Sequence, residues 1–310
     1  MSNPRILAPD GIVREMHYTE VPRAIQIETT LACNAKCPFC PYSHLDRGPK
    51  AMEDWIWRKI VDETRGLGIT YRPFLINEPL SERRLAEILS YIKQDSTATT
   101  ELNSNGGLMT EKRAHGVLDA GLDVIRFSVD GFSTSTYEKM RPGVNYDAVV
   151  RNVGRFFEIR NEGGYRCRIE VRMIDAPENK HEQAAYLDYW RPRADEVLIV
   201  PLYRWPWEGQ EKPVLKPCLK ILDEMFFYTD GTAPLCCWDS AGRGLIGDVK
   251  KESVLDIWNG PILASMRTIL NRGRRDLLHL CSRCDAYADV QFVGFDAPVN
   301  IEEPHLTTAR

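Results

Sequence analysis

The sequence predicts an α/β protein: a partial (β/α)6 barrel followed by a small C-terminal domain built on cysteines. Three observations carry that prediction. Apolar runs and amphipathic helices alternate as six βα units from residue 22 to about residue 200. The rhythm breaks at the Pro- and Trp-rich stretch "PLYRWPWEGQEKPVLKPC" (201–218). Eight of the nine cysteines fall into two sets, one on each side of that break. The chain divides accordingly into residues 1–200 and 201–310.

"RAIQIETT" (23–30) reads as the first strand and is followed by a cysteine-bearing loop. "EDWIWRKIVDETRGLG" (53–68) is helical and stops at glycine, and "YRPFLI" (71–76) is the next strand. In "SERRLAEILSYIKQD" (81–95) a Ser cap precedes Leu85, Ile88, Leu89 and Ile92, spaced as one face of a helix. "TTELNS" is a strand, and "TEKRAHGVLDAG" (110–121) is a helix with Thr before it and Gly behind. "DVIRFSVDG" (123–131) reads as a buried strand, and "NYDAVVRNVGRFFEIRNEGG" (145–164) as a helix with Val149, Val153, Phe156 and Phe157 inward. "RCRIEVRMI" (166–174), "NKHEQAAYLDYW" (179–190) and "DEVLIV" (195–200) complete the series as strand, helix and strand. Such a run predicts a parallel sheet with helices outside, and places chemistry at the carboxyl ends of the strands. Beyond the break come a hairpin over "EMFFYTDGTAPLCC" (224–237), turned at Asp-Gly, and a helical stretch around 251–272.

At 310 residues the chain has room for one large and one small domain. Its composition is 43% hydrophobic and 27% charged, with a formal net charge of −4. That weak acidity, with no basic stripe to neutralise phosphates, argues against nucleic acid as the main partner. The Arg-rich "RTILNRGRR" (267–275) reads as a solvated helix face. No segment approaches 18 consecutive apolar residues, so no membrane span is expected. The first residues lack a secretory h-region, so a cytoplasmic protein with reduced thiols is expected, and its cysteines are better metal ligands than disulfide partners.

Cys33, Cys37 and Cys40 form a C-x3-C-x2-C loop directly after the first strand. Structural zinc takes four protein ligands, so this triad is one short: either a ligand comes from far away or the open position is the purpose. The second set is Cys218, Cys236, Cys237, Cys281 and Cys284. Cys167 lies within a predicted strand and reads as a small core residue. None of the six histidines stands at metal spacing, and no G-x-S-x-G, Walker or dinucleotide fingerprint occurs.

The triad, with Phe39 before its last cysteine and a strand before its first, resembles the signature of the radical S-adenosylmethionine (radical SAM) superfamily. The resemblance spans residues 22 to 200. It implies a 4Fe-4S cluster on Cys33, Cys37 and Cys40 whose fourth iron is chelated by the amino and carboxylate groups of SAM. One electron then cleaves SAM to methionine and a 5′-deoxyadenosyl radical, which takes a hydrogen atom from substrate. The family's Gly-Gly-Glu-Pro stretch is matched by Ile76-Asn77-Glu78-Pro79, which keeps the Glu and Pro and lacks both glycines. Ser104-Asn105-Gly106 resembles its third-strand motif, and Ser128-Val129-Asp130-Gly131 its fourth. Arg141 stands where relatives place an arginine near the methionyl carboxylate. The resemblance thus implies cofactor contacts at Phe39, Asn77, Glu78, Asn105, Ser128, Asp130 and Arg141.

The cysteines after residue 217 resemble the front half of a SPASM domain, the shortened version called twitch. Four thiolates from Cys218, Cys236, Cys281 and Cys284 would fully ligate a second 4Fe-4S cluster; four-cysteine zinc is the alternative. A fully ligated cluster moves an electron without binding substrate. The resemblance therefore implies oxidation of a carbinol to a ketone, as in the aminocyclitol-oxidising 2-deoxy-scyllo-inosamine dehydrogenase-type enzymes of antibiotic biosynthesis. The expected substrate is a small polar molecule: an aminocyclitol, aminosugar or nucleoside. Glu78, Trp238 and Asp239 suit a cationic, hydroxylated one. The expected partner is an external one-electron reductant such as flavodoxin or ferredoxin. Other readings are an epimerase with Cys237 as hydrogen donor, a peptide-modifying radical SAM enzyme, and a non-catalytic iron–sulfur or zinc module.

Overall fold

A computed structural model describes residues 4–8, 12–202, 205, 214–287 and 290–293. Most of the 201–218 stretch lies outside them. Chain contacts group Thr19–Tyr203 with Asp223–Leu263 in one compact unit, and Met1–Tyr18 with Arg204–Leu222 and Ala264–Arg310 in another. A single cut at residue 200 does not follow these units, because 223–263 joins the barrel.

In chain order the elements are β1 (Arg5–Leu7), β2 (Val13–Glu15), β3 (Ala24–Ile27), α1 (Asp54–Glu63), β4 (Thr70–Arg72), α2 (Leu85–Ile92), β5 (Thr99–Ser104), α3 (Glu111–Asp119) and β6 (Val124–Ser128). There follow α4 (Thr134–Met140), α5 (Tyr146–Glu162), β7 (Arg168–Asp175), α6 (Gln183–Trp190), β8 (Glu196–Pro201), α7 (Lys220–Asp223), β9 (Glu224–Phe227), β10 (Thr232–Pro234), β11 (Leu245–Asp248), α8 (Val254–Asn259) and α9 (Pro261–Asn271). The six expected strands, β3 to β8, lie in order in one parallel sheet of the partial-barrel type. Thr110 caps α3 through its side chain, as its position predicted, and Asn145 caps α5 in the same way.

A seventh strand corrects the expected hairpin. The Asp230-Gly231 turn does form, with Gly231 at φ +84° and its N–H donating to Tyr228 O at 2.9 Å. Its two arms, however, go to different sheets. β9 runs parallel to β3 from Ala24↔Glu224 to Ile27↔Phe227, whereas β10 pairs antiparallel with β11. The run Met225-Phe226-Phe227 is buried without alternation, the pattern of a parallel-sheet strand covered on both faces. Other differences are local. Strand β4 ends at Arg72 because Pro73 follows and the Phe74 N–H turns back to Arg72 O at 2.7 Å. The 251–272 helix is two helices, divided at Gly260-Pro261. The Arg-rich run is solvated only in part: Arg272 is exposed, whereas Arg267 is 6% and Arg275 1% exposed.

The sheet has two unlike faces. Leu102, Ile125, Phe127, Ile169, Val171 and Met173 are fully buried against α3, α5 and α6, through Val117, Val149, Phe156 and Trp190 among others. The alternate positions carry a charged belt across the inner face. Arg72 meets Glu224 at 3.1 Å and Glu101 at 2.7 Å. Arg126 meets Glu101 at 2.8 Å and Glu170 at 2.9 Å, and Arg172 meets Glu170 at 2.6 Å. Burial alone would raise the Glu101 carboxyl, but Arg126 and Arg72 outweigh it and hold it at about 2. Its contribution to stability is therefore present above about 4.5 and fades as pH falls toward 2. Glu101→Gln is expected to remove on the order of 2–3 kcal/mol at pH 7. Denaturant titrations at pH 7 and pH 3 check this: the gap between wild type and variant should narrow at the lower pH.

Candidate cofactor and cluster site

The cysteine loop leaves the carboxyl end of β3 and has no strand ladder to fix it, so neighbouring side chains and backbone hold it. The Cys33 N–H donates to Tyr42 Oη at 2.9 Å, the Ala35 N–H to Cys33 Sγ at 3.4 Å, and the Cys40 N–H to Cys37 O at 3.0 Å. Asn105 Nδ2 donates to Asn34 Oδ1 at 2.8 Å, and the Lys36 N–H to Pro142 O at 2.8 Å. Gly143 sits at φ +94°, where a β-carbon would lie 2.7 Å from Asn34 O. Burial pushes the Cys33 thiol up to about 11 and raises the Cys37 and Cys40 thiols as well; Arg141 opposes the rise at both. Loading metal on these thiols must displace protons.

Several residues expected to touch the cofactor are engaged by the protein itself. Glu78 is 2% exposed, and its carboxylate accepts from Ser104 Oγ (2.7 Å) and from the N–H groups of Asn105 (2.8 Å) and Leu80 (3.0 Å). Burial raises its carboxyl against those donors. Asp130 accepts from the Ile174 N–H at 2.8 Å and from Arg141 Nε at 2.6 Å. Asp239 is spent on the N–H groups of Arg243 and Gly244, at 2.8 and 2.7 Å. Neither Glu78 nor Asp239 is thus an open carboxylate for a cationic ligand.

Three other expected residues do have capacity. Asn77 accepts from the Leu75 N–H with Oδ1, while its buried Nδ2 has no partner among the described residues. Ser128, half-buried at the end of β6, makes no side-chain hydrogen bond among the described residues. Phe39 packs on the core edge, its ring centroid 5.8 Å from the Arg141 guanidinium. Three thiols on one loop, an orphaned amide on the neighbouring strand's exit and an arginine beside Cys37 form a donor set that fits an iron–sulfur cluster with SAM.

Sequence reasoning missed two arginines. Arg47 holds buried Glu28 through both oxygens, at 2.6 and 3.0 Å, donates to Ser240 O at 2.6 Å, and lies 3.7 Å from the Tyr228 ring centroid. It thereby ties the segment after the triad to the loop that follows Cys236 and Cys237. Arg275 donates to the carbonyls of Lys216 (2.9 Å), Pro217 (2.7 Å), Cys284 (3.3 Å) and Ala286 (2.7 Å), joining the segments that carry Cys218 and Cys284. Neither residue belongs to a motif; only long-range packing shows them. Cys218, Cys281 and Cys284 belong to one compact unit, and Cys236 and Cys237 to the other. Cys167 is a core residue, 2% exposed, with its thiol pushed up to about 12 by burial. Among the described residues no three His, Cys, Asp or Glu side chains converge on a single-ion site, and no helix is long and apolar enough to cross a membrane.

Residues 27–169 match the Radical SAM superfamily, and residues 218–285 match the SPASM iron-sulfur cluster-binding domain. A probable GTP 3′,8-cyclase of Methanococcus maripaludis is 29% identical over 221 residues, 68% of this chain and 71% of that protein. A PqqA peptide cyclase of Bradyrhizobium diazoefficiens is 30% identical over 224 residues, 66% of this chain and 53% of the relative. Among solved structures, BtrN in complex with AdoMet and 2-DOIA superposes with TM-score 0.61 at 17% identity, covering 86% of this chain and 93% of BtrN. Streptococcus suis SuiB bound to precursor peptide SuiA gives 0.66 at 13% identity, over 88% and 73%. The Radical SAM domain implies SAM and a 4Fe-4S cluster, and the SPASM domain implies further iron–sulfur ligation. Gly143→Ala is expected to cost about 1–3 kcal/mol by straining this turn and to lower iron uptake by the triad. Denaturant unfolding and iron counting after anaerobic reconstitution measure the two effects.

Proposed function

We propose that this chain, which carries a Radical SAM domain and a SPASM-type iron–sulfur domain, oxidises a carbinol of a small polar substrate to a ketone. The observation that carries the reading is the pairing of a three-thiol loop, one ligand short, with four further cysteines sufficient for one fully ligated cluster. When bound, SAM and the first cluster supply a one-electron cleavage that yields the hydrogen-abstracting 5′-deoxyadenosyl radical. Cys33, Cys37 and Cys40 would hold that cluster; Asn77, Ser128 and Phe39 would face SAM. Glu78 and Asn105 serve by fixing the loop.

When bound, the second cluster would accept the one electron left after the substrate carbon gives up a hydrogen atom and a proton, and returning that electron toward the first cluster would leave SAM as the net oxidant. Cys218, Cys236, Cys281 and Cys284 would ligate that acceptor. An external one-electron reductant, such as a flavodoxin or ferredoxin, would prime the first cluster. The charged belt and the Ser128 hydroxyl, which has no hydrogen-bond partner among the described residues, support a polar substrate, in line with the aminocyclitol, aminosugar or nucleoside class and a role in natural-product biosynthesis.

A peptide substrate is the second reading, favoured by the likeness to the PqqA peptide cyclase. Epimerisation, with Cys237 returning a hydrogen atom, is a third.

Reconstituted protein is expected to hold about eight irons, as two four-iron clusters, and to release 5′-deoxyadenosine from SAM under reduction. Cys33→Ala should abolish that release; Cys284→Ala should lose about half the iron yet keep it. Four-cysteine zinc without SAM cleavage would overturn the assignment. With candidate substrates in deuterated water, a ketone free of solvent deuterium supports oxidation, whereas deuterium at carbon, lost in Cys237→Ala, indicates epimerisation.

A further inference from the structure

Arg141 has a place that SAM binding alone does not explain. It caps the end of α4, its N–H donating to Tyr137 O at 2.7 Å. Pro142 and Gly143 then turn the chain against Asn34 and Lys36. The side chain is 12% exposed. Nε and Nη2 both reach Asp130 Oδ2 at 2.6 Å, and Nη1 donates to Cys37 Sγ at 3.8 Å. Asp130 is fixed in turn by the Ile174 N–H at 2.8 Å, and Asn179 Nδ2 donates to the Asp130 carbonyl at 3.1 Å. Cys37 is the most buried thiol of the triad, 8% exposed. One permanent cation, locked by a carboxylate on its far side, therefore donates to the sulfur of one proposed cluster ligand and, among the described residues, to neither of the others.

A hydrogen bond to a ligand thiolate, and a positive charge in a low-dielectric site, both favour the form of a cluster that carries the extra electron. We infer that Arg141 raises the reduction potential of the first cluster through Cys37, and that Asp130 is the positioning residue that holds the guanidinium on the sulfur. The inference rests on the reading that the triad carries a 4Fe-4S cluster. It assigns Arg141 a role toward cluster reduction rather than toward cofactor affinity. Burial works against the guanidinium charge, but Asp130 outweighs it and keeps Arg141 protonated.

The test is a redox titration monitored by electron paramagnetic resonance on the full-length reconstituted protein, following the signal that SAM perturbs, with SAM binding measured in parallel. Removing Arg141 alone would strand buried Asp130, so the informative variant is the charge-balanced R141Q/D130N, with R141K as the conservative control. R141Q/D130N is expected to shift the reduction equilibrium about tenfold toward the oxidised cluster, some 59 mV for one electron, with SAM affinity within about threefold of wild type. R141K should recover most of that shift. An unchanged potential in R141Q/D130N overturns the inference. So does a large loss of SAM affinity at unchanged potential, which would return Arg141 to cofactor binding. If wild type itself gives no cluster signal on its three intact thiolates, the cluster reading fails and takes the inference with it, an outcome recognised because it precedes any substitution.

Discussion

Much of this site depends on a carboxylate that is buried without a cation in hydrogen-bond contact. Glu78 takes up three donors from two chain segments, Leu80 on its own exit turn and Ser104 and Asn105 at the end of β5. Its own N–H donates to Ala32 O at 3.0 Å, at the threshold of the cysteine loop. A buried carboxylate is costly unless it is saturated with hydrogen bonds, so the strand ends must meet in one arrangement for it to be satisfied. That arrangement delivers Asn105 to Asn34 and sets the loop's first residues. A loop that must present three thiolates to one object needs such an anchor, because it has no ladder of its own.

The remaining charges follow a division between faces. Toward the helices the sheet is apolar and closely filled; toward the inside it is a belt, Glu224–Arg72–Glu101–Arg126–Glu170–Arg172, in which each ion pair shares a carboxylate or a guanidinium with the next. Such sharing neutralises the inner wall while leaving it polar, which suits a hydroxylated substrate better than an apolar one. At the carboxyl rim the pairing changes character: Asp130 and Arg141 form a closed unit directed at sulfur, and Glu28 and Arg47 one directed at the loop after Cys237.

The barrel was legible because its signals are local. Alternation of buried strands with amphipathic helices placed all six strands, and the spacing of Cys33, Cys37 and Cys40 marked the loop. What stayed hidden depended on distance along the chain. In sequence strand β9 reads as a hairpin arm because Asp230-Gly231 is a strong turn signal, while its pairing with β3, some 200 residues away, leaves no local trace. Arg275 reads as solvated in sequence because its carbonyl partners lie 9 to 59 positions away. Motif resemblance found Glu78, Asn105, Asp130 and Arg141 as residues of the site, but not that each is first engaged by the protein. A motif marks which residues stand near a site; only the fold determines which of their atoms are already taken.

The central claim is that the triad's missing ligand is SAM itself. Electron–nuclear double resonance on the reduced protein tests it directly, using SAM labelled with 15N in the amino group and 17O in the carboxylate. Hyperfine coupling from both labels to the cluster, abolished when Cys37 is replaced by alanine, is the predicted result. A cluster signal that shows no coupling to either label would contradict the account.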